Sequence, residues 1–160
     1  MPDIGSEVRQ RLLALPTGKE QDLAGANDEE IAELESYARG RLPAVYKQFL
    51  KQLGRSAGEL FRGSEYAVRQ HFDLRLKEHA EELLRRNGAS FTLPQTAFVF
   101  LMSQGYQFSF FNLDEGDDPS VYHYLEGDLK PRILDATLSG YLRRCIIECE
   151  RWGQRSETVP

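Results

Sequence analysis

Apolar residues recur every three or four positions in the first half of the chain and every second position in part of the second half. Val8, Leu12 and Leu15 keep helical spacing until Pro16-Thr17-Gly18 interrupts it. A polar connector covers 19–26. Asn27-Asp28-Glu29-Glu30 opens a second helix, because the Asn27 side chain can accept a free backbone N–H and Glu30 can reach back to it. Ile31, Leu34 and Ala38 form its stripe, and Gly40 ends it. Leu42-Pro43 begins a third helix, with Tyr46, Phe49, Leu50 and Leu53 on the buried face and Gly54 as its cap. Leu60-Phe61 reads as a short strand. Phe72, Leu76, Leu83 and Leu84 predict one further helix over about 68–86, closed by Asn87-Gly88.

After Pro94 the period changes. Residues 97–102 are a continuous apolar run of strand length, rich in β-formers. Gln104-Gly105 supplies a turn, and Tyr106, Phe108 and Phe110 then alternate with Gln107 and Ser109. Residues 121–125 make a third strand, so the three form an antiparallel meander. Leu138, Tyr141, Leu142, Cys145, Ile146, Cys149 and Trp152 mark one face of a last helix that begins near Asp135 or Thr137. The order helices, strands, helix predicts an α+β domain over 27–153, preceded by a helix and connector (1–26) and followed by a polar tail (154–160).

Charge adds a location. Six of the 25 acidic residues (Asp114, Glu115, Asp117, Asp118, Glu126, Asp128) fall within 112–128, where there is no Lys or Arg. The rest of the chain carries 19 acids against 20 bases, so this segment accounts for the net charge of -5 and argues against a general nucleic-acid-binding role. The N-terminus has no signal-peptide pattern, and no stretch is apolar enough to span a bilayer. Cys145 and Cys149, four apart on a helix, suit packing better than a disulfide, and the expected compartment is the cytoplasm.

Ile31-Ala32-Glu33-Leu34-Glu35, followed by Arg41-Leu42-Pro43-Ala44-Val45-Tyr46-Lys47-Gln48-Phe49-Leu50, resembles the opening signature of the SUKH superfamily. Its nearest branch holds the fungal cell-wall assembly regulators and many bacterial immunity proteins. Gly105-Tyr106 entering an aromatic strand, the acidic turn, Val121-Tyr122 and the terminal amphipathic helix continue the family's order. The resemblance implies a central antiparallel sheet with helices packed on one face, no catalysis and no cofactor. It also implies a protein partner: a toxin domain for an immunity protein, several partners for a regulatory scaffold.

The acidic segment is the first candidate for the binding surface. Asp114, Glu115, Asp117, Asp118, Glu126 and Asp128 would steer a basic partner, such as a nuclease toxin, and block it by occlusion. The same charges also suit a solvated hairpin that keeps an edge strand from aggregating. Tyr122 and Tyr124 share a strand face opposite His123, either lining that surface or packing under helices. Residues 112–118 break the EF-hand ligand pattern at Gly116. Ser103, His123 and Asp114 supply the residue types of a hydrolase triad, but no nucleophile elbow surrounds Ser103. The expected function is therefore a non-catalytic, immunity-type binding protein, with a regulatory scaffold or ligand-binding module second and a small hydrolase a distant third.

Overall fold

Local capping sets the N-terminal helices of this computed structural model, which describes the backbone of residues 3–158 and the side chains through 153. Asp3 accepts from the Ser6 amide at 2.8 Å and starts α1 (Ile4–Leu13). Asn27 and Glu30 exchange hydrogen bonds of 2.8 and 3.0 Å, the expected capping box of α2 (Asp28–Ala38). Glu35 then bridges to α3 (Ala44–Leu53), accepting from the Leu42 amide and pairing with Lys47 at 3.2 Å. Gly54 follows α3 with an ordinary right-handed backbone. A Cβ there would lie 2.6 Å from the Leu50 carbonyl oxygen, so its role is close approach rather than left-handed geometry.

Three stretches differ from the sequence expectation. The connector forms β1 (Leu23–Ala24), which pairs with β2 (Ser56–Ala57) in a separate two-stranded ribbon. Leu60-Phe61 is a turn, with Phe61 at φ 59°, and the strand lies beyond it as β3 (Ser64–Glu65). The single helix expected over 68–86 is two, α4 (Val68–Leu74) and α5 (Leu76–Arg86), broken at Arg75, where φ is 50°.

The meander is present and is extended by one strand on each side. β4 (Ala97–Ser103), β5 (Gln107–Asn112) and β6 (Val121–Leu125) pair in sequence, β3 adds to β4, and β7 (Arg132–Asp135) adds to β6. β4 carries a bulge: Val99 faces Phe110 and Leu101 faces Ser109, leaving Phe100 as the extra residue. The chain closes with α6 (Leu138–Thr158).

The α+β architecture is as expected, with one addition to the layering. Phe98, Phe100, Leu101, Phe111 and Val121 face the main core, where Val8, Leu34, Tyr46, Phe49, Leu142 and Ile146 pack from α1, α2, α3 and α6. Ala97, Val99, Met102, Phe108, Phe110 and Tyr124 face the other way and are covered by Leu76, Ala80, Leu83 and Leu84 of α5. Helices therefore lie on both faces of the sheet rather than one. The unbroken apolar run of β4 is the physical reason, since both sides of that strand must leave water. Tyr46 centres the main core, with its ring 5.2 Å from Phe111 and 5.4 Å from Phe98.

Candidate functional site

The six acids of 112–128 do not form one surface. β6 runs between them, so Asp114–Asp118 lie at one end of the strand and Glu126 and Asp128 beyond the other. Five strand residues place those ends about 13 Å apart before any side chain is counted. Contiguity in sequence becomes separation in space because an extended chain is long.

At the first end, two of the acids are helix caps. Pro43 precedes α3 and has no side chain able to cap it. Asp117 reaches across instead: its carboxylate accepts from the Ala44 amide and its carbonyl from the Val45 amide, both at 3.1 Å. Asp118 does the same for α6, accepting from the Ser139 amide at 2.8 Å and also from the Ser139 hydroxyl. Both carboxylates sit where helix amides point and the helix dipole favours negative charge. Glu115 accepts from the Tyr122 hydroxyl at 2.9 Å and from the Asn112 side-chain Nδ2 at 2.8 Å. Asp114 is exposed and lines the rim of a cleft.

The two tyrosines separate. Tyr124 is wholly buried between Phe108 and α5, so it packs under a helix and offers no surface to a partner. Tyr122 is half-buried and stacks on Phe110 at 5.2 Å, with burial and the neighbouring Glu115 both raising its pKa. Tyr106, at the end of the turn before β5, is exposed, and so is Trp152, which lies outside the core that the last helix's stripe enters.

Beyond the far end of β6, Glu126 is exposed and Asp128 accepts from the Leu125 amide at 3.4 Å, closing the β6–β7 turn. This hairpin carries the exposed side chains of Leu125, Leu129 (67% exposed) and Ile133 (65%). Among the described residues β7 pairs with β6 alone, so its outer backbone edge meets no other strand there. Ile133 stands opposite Tyr122 in the register and shares its face. The sequence reading missed β7 altogether. Its signal was the apolar pair Ile133-Leu134 between Arg132 and Asp135, too short to carry a period.

The residue types of a hydrolase triad do not meet. The Ser103 hydroxyl lies 2.7 Å from that of Ser64 on β3. His123 is bonded instead to the buried Ser109 hydroxyl at 2.9 Å and to the Gln107 side-chain Oε1 at 3.0 Å, with burial lowering its pKa. Asp114 lies past the opposite end of β6. Burial pushes the Cys145 thiol up to about 12 and raises that of Cys149, and both cysteines are unpaired. No helix among the described residues is long and apolar enough to cross a membrane.

A cleft of about 850 Å³ lies elsewhere, between the end of α2, the α4–α5 junction and the start of β4. Arg39, Arg41, Arg75 and Lys77 line it together with Glu78, Glu81 and Asp114. Its floor includes Phe98 and His71, a buried ring whose Nε2 lies 3.3 Å from the Tyr46 hydroxyl and whose pKa burial lowers to about 4. No local motif announced this cleft, because its charges come from three distant segments.

Compared with known proteins, residues 28–142 match the family model SUKH_6, described as SMI1-KNR4 cell-wall. No curated protein matches the chain.

Proposed function

Since the chain belongs to the SMI1-KNR4 cell-wall family of the SUKH superfamily, we propose that it is a non-catalytic protein-binding domain, an immunity-type protein that neutralises a toxin by occlusion in the cytoplasm. The observation that carries this reading is the β6–β7 hairpin. Leu125, Leu129 and Ile133 leave apolar surface in water beside an edge strand with unpaired backbone groups. Natural sheets usually blunt or cover such an edge, and a partner's strand or loop would cover this one. Glu126 and Asp128 belong to the rim, where Lys130 and Arg132 balance them. Charge steering of a basic partner therefore falls to Asp114 and Glu115, at the other end of β6.

The absence of catalysis is part of the proposal. It is supported by Ser103, His123 and Asp114 being held apart, each in a structural role or at a different end of the sheet. A second reading, a regulatory scaffold with several partners, is favoured by the cell-wall description of the family.

The test is affinity capture from native lysate with the wild-type chain and with a Leu129→Asp/Ile133→Asp variant as baits. One stoichiometric toxin domain, inhibited by the wild type and not by the variant, is the expected result. A spread of housekeeping proteins would support the scaffold, and equal capture by the variant would remove the hairpin from the interface.

A further inference from the structure

Among the described residues four non-glycines have left-handed backbone, and two of them, Arg39 (φ 57°) and Arg75 (φ 50°), line the same cleft. Side chains other than those of Asn and Asp seldom adopt this conformation, because Cβ crowds the following carbonyl. At the end of α2 the left-handed turn falls on Arg39, one residue before Gly40, which would adopt it without strain. At the α4–α5 junction it falls on Arg75 with no glycine nearby. Strained positions held by the surrounding structure concentrate at binding sites, and here both deliver a guanidinium to one concavity.

The charges of the cleft are not used up internally. Arg39 and Arg41 have no acidic partner among the described residues. Among the described residues Lys77 donates only to the Gln95 carbonyl, at 3.0 Å. Arg75 has a single long contact, 3.7 Å to Glu78, whose carboxylate also accepts from the Tyr37 hydroxyl at 3.1 Å. That leaves several cations facing the cleft with free hydrogen-bonding capacity, beside two carboxylates, Glu81 and Asp114, that are likewise unpaired among the described residues.

We propose that the cleft binds a phosphorylated small molecule, with Arg39, Arg41, Arg75 and Lys77 holding its phosphate and Glu81 and Asp114 accepting from hydroxyl groups on its body. Guanidinium groups match the geometry of phosphate oxygens with paired N–H donors, and an ammonium adds a point charge. Carboxylates bind sugar hydroxyls by accepting from them. A polyanionic peptide or nucleic acid suits the site less, because its repeated charges would meet Glu78, Glu81 and Asp114 inside a chain that is acidic overall. The cleft lies apart from the β6–β7 hairpin and shares only Asp114 with the proposed steering charges, so the arginine variants test it independently of the protein partner.

Isothermal titration of the full chain at low ionic strength tests the proposal, using ribose 5-phosphate, ribose, inorganic phosphate and a hexaglutamate peptide as probes. Ribose 5-phosphate should bind in a salt-sensitive way, with ribose and inorganic phosphate each about tenfold weaker or more. Arg39→Gly and Arg75→Gly should each weaken binding by about tenfold while raising the Tm of the free protein, since glycine relieves the left-handed strain. Arg41→Gln, on ordinary backbone, should lose affinity with Tm unchanged. Absence of binding by ribose 5-phosphate at millimolar concentration overturns the proposal, as does unchanged affinity in the three variants. Inorganic phosphate binding as tightly as the sugar phosphate removes the role of Glu81 and Asp114, and preference for hexaglutamate replaces the small molecule with an acidic peptide.

Discussion

The Asp118 carboxylate accepts both the backbone amide and the hydroxyl of Ser139, fixing the start of α6 to the loop between β5 and β6. Its neighbour Asp117 caps α3 from the same loop. Asp118→Ala and Asp117→Ala should each lower stability by about 1 kcal/mol, up to roughly 2, in urea denaturation. Neither loss requires a partner. Charge reversals meant to probe partner binding are therefore informative at Asp114 and Glu115, while those at Asp117 and Asp118 will report unfolding.

Acid should weaken the protein through His71. Burial lowers its pKa from the usual 6.5 to about 4, so between those values the unfolded chain takes up a proton that the native chain refuses. The stabilisation is complete above pH 6.5, falls as the pH drops, and is gone below about 4. Its full size is roughly 3 kcal/mol, from the difference between the two pKa values. Stability measured by chemical denaturation across this window should fall accordingly, and His71→Gln should flatten most of the slope. His123, also lowered chiefly by burial, leaves a smaller residual trend of the same sign.

Tyr46→Phe isolates the hydrogen bond from the charge. It keeps the ring packed against Phe98 and Phe111 but leaves the buried Nε2 of His71 without its 3.3 Å partner. The expected loss is about 1–2 kcal/mol by thermal or urea unfolding. No loss would mean that the hydroxyl contributes nothing to the core.

α1 meets α3 at a glycine. A methyl group on Gly5 would lie 2.0 Å from the Gln48 carbonyl oxygen, so the two helices must separate to admit it. Gly5→Ala should cost about 2 kcal/mol or more. Gly116→Ala is the contrast: the space around it is open, but its φ of +84° penalises a side chain, and the cost should stay near 1 kcal/mol. Parallel urea curves for the two variants check the difference.

The Cys145 thiol should be close to inert while the protein is folded. With its pKa pushed from 9.0 to about 12, its thiolate population at mildly alkaline pH falls about a thousandfold. Iodoacetamide labelling followed by mass spectrometry should modify Cys145 far more slowly in the native protein than in urea. Equal rates would show that the last helix opens readily.

What could be read from the sequence was local. The Asn27–Glu30 capping box, the Tyr46 face of α3 and the alternation of β5 and β6 depend on residues within a turn or a strand of each other. What escaped was non-local or broke a local rule. Asp117 and Asp118 looked like surface charge because their partners stand 73 and 21 residues away. The break at Arg75 carries neither glycine nor proline, and the helical spacing of Phe72 and Leu76 passes straight through it. Tyr124 was ambiguous for a similar reason. Its burial depends on α5, which covers a sheet face that three strands alone do not define.

The extra residue at Phe100 sets the two ends of β4 in opposite phase. Ahead of it, even-numbered side chains enter the main core; after it, Leu101 takes that place and Met102 turns to α5. Sliding the strand by one position would suit one end only by turning the other inside out. β4 thus has a single workable alignment, and an insertion or deletion within 97–102 cannot be absorbed by a shift along the neighbouring strands.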